Sequence, residues 1–175
     1  SVNKYKEGIL KYIEKVEPTV LFLNINRYLP ANLAKATIVS HETRVLFDSQ
    51  QYHNLNHPII LPEGRLGSLI KDQLKGLEIL DYGLTLQENS FKIGPNSCKL
   101  EWPLAAAYAL AMVTQAGASK ISLVGFDGYS ADDPRQEEMN DVFFNYTSLT
   151  ESLAITTLTP TTYRVEQSSI FSPKI

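Results

Sequence analysis

Residues 105–128 read AAAYALAMVTQAGASKISLVGFDG, a helix, a tight turn and a strand in immediate succession. Alanine supplies the best helix former, so residues 102–116 are predicted helical, with Pro103 acceptable in the first turn and Gly117 at the C-terminal stop. The helix is apolar nearly all round and is expected to lie buried against the sheet that the next strand helps to form. That strand, residues 120–129, is a continuous apolar run closing on Gly125-Phe126-Asp127-Gly128-Tyr129. An apolar helix feeding directly into an apolar strand is the repeating element of an α/β fold.

The same alternation extends in both directions. Upstream, Tyr5, Ile9, Tyr12, Ile13 and Val16 recur at helical spacing among Lys and Glu until Pro18 ends the pattern. Short runs buried on both faces follow at residues 20–25, 36–40 and 58–62, the last preceded by a polar segment with room for a helical turn or two. Residues 77–86 read as an edge strand or hairpin arm, with residues 91–93 as a partner. Downstream, residues 130–133 form a polar loop, Pro134 opens a helix carrying Met139, Val142, Phe143 and Tyr146, and residues 154–158 form another strand. The tail, residues 159–175, is rich in Thr, Ser and Pro and is expected to be an irregular extension. The predicted architecture is a Rossmann-like three-layer α/β sandwich with a mostly parallel sheet, spanning residues 1–175 as one domain.

Composition narrows the function. The chain has 175 residues, 43% hydrophobic and 20% charged, which suits one globular domain and excludes a disordered chain. A net charge of −3 provides no basic field for a nucleic-acid backbone, although a small nucleotide needs only a few local donors. Cys98 is the only cysteine, so no internal disulfide or paired-cysteine metal site exists; its simplest reading is a small buried hydrophobe. The longest apolar stretch, residues 103–113, is far short of the roughly 18–20 residues that span a bilayer, so a soluble, cytoplasmic protein is predicted, with no membrane partner. Ser1 rather than Met at the first position reads as processing or excision from something longer.

In open α/β sheets ligands gather at the carboxyl ends of the strands, where loops and free backbone N–H groups converge. The candidate binding residues are Asn24, Asn26 and Arg27 after the first apolar run, Ser40 and His41 after the second, and Gly125, Asp127 and Tyr129 after the strand of the opening motif. All are expected along one edge. The amide of Asn24 can donate to and accept from a ribose or base, and Arg27 can pair with a phosphate bidentately. The alternative for Asn24 and Asn26 is a turn or helix start. Asp127 between two glycines sits where the backbone can turn sharply, and His41 is the one histidine placed like a general base. Asp133 before Pro134 reads as a helix cap rather than a Mg²⁺ ligand. His53 and His57 are four apart, but Asn56-His57-Pro58 reads as a loop, which argues against a helical metal pair. No cofactor is assigned, and phosphate-loop, dinucleotide-fingerprint and nucleophile-elbow motifs do not occur.

Two stretches, VLFLNINRYL at residues 20–29 and AAAYALAMVTQAGASKISLVGFDGYSADDPRQEEMN at residues 105–140, resemble the Rossmann-like domain of bacterial sialyltransferases that use CMP-sialic acid. They also resemble the archaeal 6-hydroxymethylpterin pyrophosphokinase-like family. The closer likeness, carried also by LTPTTYRVEQSSIF at residues 158–171, is to the C-terminal domain of aldolase-like proteins from surface-polysaccharide gene clusters, whose N-terminal barrel is related to HMG-CoA lyase and 4-hydroxy-2-oxovalerate aldolase. In the sialyltransferases the Asn matching Asn24 contacts the nucleotide. The resemblance implies a nucleotide or nucleotide-sugar ligand, a catalytic barrel elsewhere in the same protein as partner, and a strand upstream of Ser1 that completes the sheet. Glu101-Trp102-Pro103 stands where the transferases have Thr-Ser-Gly. Two other readings follow from the same residues: a glycosyl or phosphoryl transferase with His41 or Asp127 as base, and a non-catalytic interaction or homodimerisation module.

Overall fold

Apolar runs that can be buried on both faces become short strands in the computed structural model of the chain, which describes residues 1–172. In chain order the elements are α1 (Lys6–Val16), β1 (Leu21–Leu23), β2 (Ala36–Ile38), α2 (Glu42–Tyr52), β3 (Ile59–Leu61), α3 (Ser68–Gln73), β4 (Ile79–Asp81), β5 (Gly83–Leu86), β6 (Phe91–Ile93), β7 (Ser97–Leu100), α4 (Ala105–Gln115), β8 (Ile121–Leu123), α5 (Pro134–Thr147), β9 (Ile155–Thr157) and β10 (Glu166–Gln167). The class is α/β with mostly parallel sheets, as the alternation predicts. By internal contacts the chain divides into two compact units, one of Thr19–Ala116, the other of Ser1–Pro18 with the residues from Gly117 on.

The Thr19–Ala116 unit is built on a four-stranded parallel sheet in the order β1-β2-β3-β4, with Leu21 opposite Ala36, Thr37 opposite Ile59 and Ile59 opposite Ile79. Every residue of β2 and β3 is buried, which is why those runs lack polar alternation. Helices α2 and α3, the crossovers from β2 to β3 and from β3 to β4, pack against each other on the sheet. There Val39, Val45, Tyr52, Ile59, Leu61, Leu66, Ile70 and Leu74 form one core cluster. The helix between β2 and β3 runs eleven residues, longer than the turn or two its polar composition suggests, because only Val45, Asp48, Ser49 and Tyr52 need face inward. Ile79–Asp81 and Gly83–Leu86, read together in sequence as one arm, separate at Tyr82. The first is the last strand of the parallel sheet. The second joins a small sheet in the order β5-β7-β6, parallel to β7, while Phe91–Ile93 pairs antiparallel with β7 instead. The missed strand β7 alternates buried Cys98 and Leu100 with exposed Ser97 and Lys99, too short a signal to stand out. Helix α4 lies against β6 and β7 and also touches β1. It starts at Ala105, so Pro103 precedes the helix rather than entering its first turn, and Gly117 ends it at φ 78°.

The other unit carries a parallel three-stranded sheet in the order β10-β9-β8. Helix α5 crosses from β8 to β9 and buries Met139, Val142, Phe143 and Tyr146, the spacing of one helical face. The Phe143 ring packs on those of Phe126 and Tyr163 at 6.3 and 5.6 Å between centroids. The tail is not wholly irregular, because Glu166–Gln167 adds the strand β10 beside β9. Its last expected residues, 173–175, lie outside the described residues. Helix α1 is present where its periodicity predicts, with Ile9 buried; a left-handed Glu17 at φ 50° closes it just before Pro18.

Candidate functional site

The sequence-predicted residues fall into two groups, one in each unit, and both lie at carboxyl ends of parallel strands. In the Thr19–Ala116 unit, β1 ends at Leu23 and the chain turns at Asn24, which adopts φ 57° and donates its backbone N–H to the Ile38 carbonyl at 2.9 Å. Asparagine is among the few side chains that enter the left-handed region readily. That backbone bond extends the β1–β2 ladder by one residue and leaves the half-buried amide of Asn24 without a partner among the described residues. Asn26 is spent locally: its Oδ1 accepts from the backbone N–H groups of Tyr28 and Leu29 at 2.8 and 3.0 Å, a side-chain turn of the kind that makes asparagine common in loops. Arg27 is exposed and forms no ion pair among the described residues.

At the end of β2, Ser40 is buried and its hydroxyl donates to the Pro103 carbonyl at 2.6 Å. The next residue, His41, is the N-cap of α2: its Nδ1 accepts from the Thr43 N–H at 3.2 Å while its carbonyl receives the first helical bonds from Arg44 and Val45. An Nδ1 that accepts must lack a proton, so the neutral ring carries its proton on Nε2. His41 therefore presents a donor outward, the opposite of what a general base needs.

In the other unit, β8 ends at Leu123 and the chain passes through two left-handed glycines, Gly125 at φ 79° and Gly128 at φ 90°. Gly125 donates its N–H to the Thr159 hydroxyl at 3.0 Å, and a Cβ on Gly128 would collide with the Thr162 hydroxyl. Between them the Asp127 carbonyl accepts from the Thr162 N–H at 3.0 Å. The Asp127 carboxylate accepts from the Ser1 amino group at 2.5 Å and from the Ser1 hydroxyl. Partial burial works against its charge, but these Ser1 donors hold the carboxyl below the ordinary value. Tyr129 is fixed by its own N–H donating to Gln136 Oε1 at 2.8 Å and by the Arg135 guanidinium 4.2 Å from its ring centroid. Buried Gln136 then donates to the Thr162 carbonyl at 3.0 Å, tying the loop after β8 to the loop after β9.

Gln136, Thr159 and Thr162 are the residues of this site that the sequence reading passed over. Thr159 was findable, since it follows the strand run ending at Leu158 and the carboxyl-end rule applies to that strand as well. Asp133 caps α5 as expected, its carboxylate accepting from the Arg135 N–H at 3.0 Å and from the Arg135 side chain. Among the described residues no group of three or more His, Cys, Asp or Glu side chains could hold a metal ion, and no helix is long and apolar enough to cross a membrane. No protein-family model, no curated protein and no solved structure matches the chain.

Proposed function

We propose that this chain is a Rossmann-like binding module for a nucleotide or nucleotide-sugar, held at the carboxyl ends of its parallel strands. In this reading it is the C-terminal domain of a cytoplasmic aldolase-like protein of surface-polysaccharide metabolism, partnered by the catalytic barrel of the same protein. The observation that carries the reading is the state of the side chains after β1. Asn24 and Arg27 have no partner among the described residues, while Asn26, Ser40 and His41 are engaged in local bonds. A free amide and a free guanidinium three residues apart in the loop after β1 suit a hydroxyl-bearing sugar and its phosphate. His41 adds an outward Nε2–H donor; the other unit, taken by itself, offers Asp127 and Tyr129 as hydrogen-bonding groups at a strand end of its own sheet. Binding is favoured over proton transfer, because His41 uses its acceptor nitrogen as a cap.

Thermal unfolding with a panel of nucleotides and nucleotide-sugars, cytidine compounds included, tests this directly. A ligand at 100 times its dissociation constant adds about 2.7 kcal/mol, a rise of a few degrees for a chain of this size. The expected result is a rise with one nucleotide class, abolished in Asn24→Ala and reduced at least tenfold in affinity in Arg27→Ala. A flat panel, or Asn24→Ala and Arg27→Ala variants that respond like the parent, defeats the proposal and leaves the interaction-module reading.

A further inference from the structure

Trp102, the one tryptophan of the chain, stands at the same sheet edge as the loop after β1. Ser40 follows β2, and its hydroxyl bond to the Pro103 carbonyl fixes the residue next to Trp102 at the carboxyl end of that strand. Asn24 is tied to the same strand through its backbone bond to the Ile38 carbonyl, two residues before Ser40. Helix α4, which starts three residues after Trp102, also packs on β1. Trp102 and Asn24 are therefore held at the ends of neighbouring strands within one compact unit.

The fold leaves the indole largely unused. Leu100, two residues earlier, is buried, whereas Trp102 keeps 48% of its surface exposed. Its ring stacks on no other ring and on no cation among the described residues, and its N–H has no hydrogen-bond partner there. A single exposed aromatic is ordinary by itself. What gives this one a role is its place at the edge that also carries the unspent amide of Asn24 and guanidinium of Arg27. Tryptophan offers the largest π face of any side chain, and a nucleobase is a flat ring that such a face holds by stacking.

We infer that Trp102 is the base platform of this site, the aromatic base of the ligand stacking on the indole while Asn24 and Arg27 take the sugar and phosphate. The inference rests on the nucleotide-binding reading and narrows it, because a stacked site requires an aromatic heterocycle and rejects a sugar phosphate alone. Every base has a π face, so Trp102 supplies affinity for the class and hydrogen bonds choose within it.

The test titrates the whole chain with AMP, GMP, CMP, UMP and UDP-glucose, with ribose 5-phosphate as the base-free control. Each titration is followed by thermal unfolding and by the emission of Trp102, which no other indole obscures. The expected result is that at least one nucleotide raises the midpoint and quenches Trp102 with the same saturation, while ribose 5-phosphate binds at least tenfold more weakly. Trp102→Leu should lose about tenfold in affinity, Trp102→Phe should recover part of it, and Phe47→Leu, which removes an exposed aromatic from the middle of α2, should lose none. The unfolding curves show that each variant is folded. A nucleotide that raises the midpoint without changing Trp102 emission, or that binds Trp102→Leu as tightly as the parent, overturns the inference and leaves the binding-module reading standing. Ribose 5-phosphate binding as tightly as the nucleotide does the same. A midpoint that none of the five nucleotides moves removes that reading, and the inference falls with it.

Discussion

At the residue scale the deciding question is which side chains have hydrogen-bonding capacity left after the fold has used what it needs. His41 illustrates the distinction. Its Nδ1 caps α2, so His41→Ala should cost about 1 kcal/mol in urea unfolding, within the ~0.5–2 kcal/mol typical of a lost N-cap, while His41→Asn should recover most of it. If Nε2 also touches the nucleotide, His41→Ala loses affinity along with the cap, whereas His41→Asn recovers stability without full affinity, because its shorter amide N–H falls short of the Nε2 position. Stability and binding therefore separate the two nitrogens of one ring. Gly128 makes a different kind of contribution: its left-handed backbone and the Thr162 hydroxyl where a Cβ would stand explain why Asp127 is followed by glycine. Asp127 and the two glycines were legible as a sharp turn, but their partners were not, because Thr159 and Thr162 are more than thirty residues away in sequence.

At the scale of the element, α5 shows how a local signal can be read completely. Asp133-Pro134 announces a helix start, and Asp133 caps Arg135 and pairs with its guanidinium at 2.5 Å. The Arg135 side-chain and backbone bonds hold the Asp133 carboxyl below its ordinary 3.8. A depressed carboxylate stabilises the folded state above its unfolded pKa, and that contribution is lost as pH falls through the folded value. The expected outcome is a loss of stability below about pH 4 that is shallower in Asp133→Asn, which keeps an N-cap oxygen but has no charge to titrate. Acid titration of the two proteins by circular dichroism checks it; identical acid limbs would exclude Asp133 as a contributor. Residues 77–86 show the reverse case. Alternation marks an extended chain there, yet the break at Tyr82 that sends one half to the four-stranded sheet and the other to β7 comes from pairing partners.

At the scale of the whole molecule, the chain's one thiol and one indole both lie in the Thr19–Ala116 unit, and each reports on it. Cys98 is buried, and burial raises its thiol to about 12, so the reactive thiolate is scarce at neutral pH. Labelling of Cys98 by a thiol reagent should be negligible in the folded protein and should appear with the same denaturant midpoint as the fluorescence change of half-exposed Trp102. Rapid labelling before that midpoint would mean that β7 opens separately from the rest of its unit. The fold class was readable because burial on both faces of a parallel strand leaves an unbroken apolar run, as in residues 36–40 and 58–62, and because helices advertise their faces every three or four residues. Those are properties of neighbouring residues, so the sequence by itself determined α/β class, the start of α5 and the strand-end candidates. Tertiary structure alone decided the division into two units, the pairing of β5 with β7, the addition of β10, and which candidates keep a free donor. Each of these depends on distant groups meeting, as Ser40 meets Pro103 and Thr37 meets His57, and no local pattern encodes such a meeting.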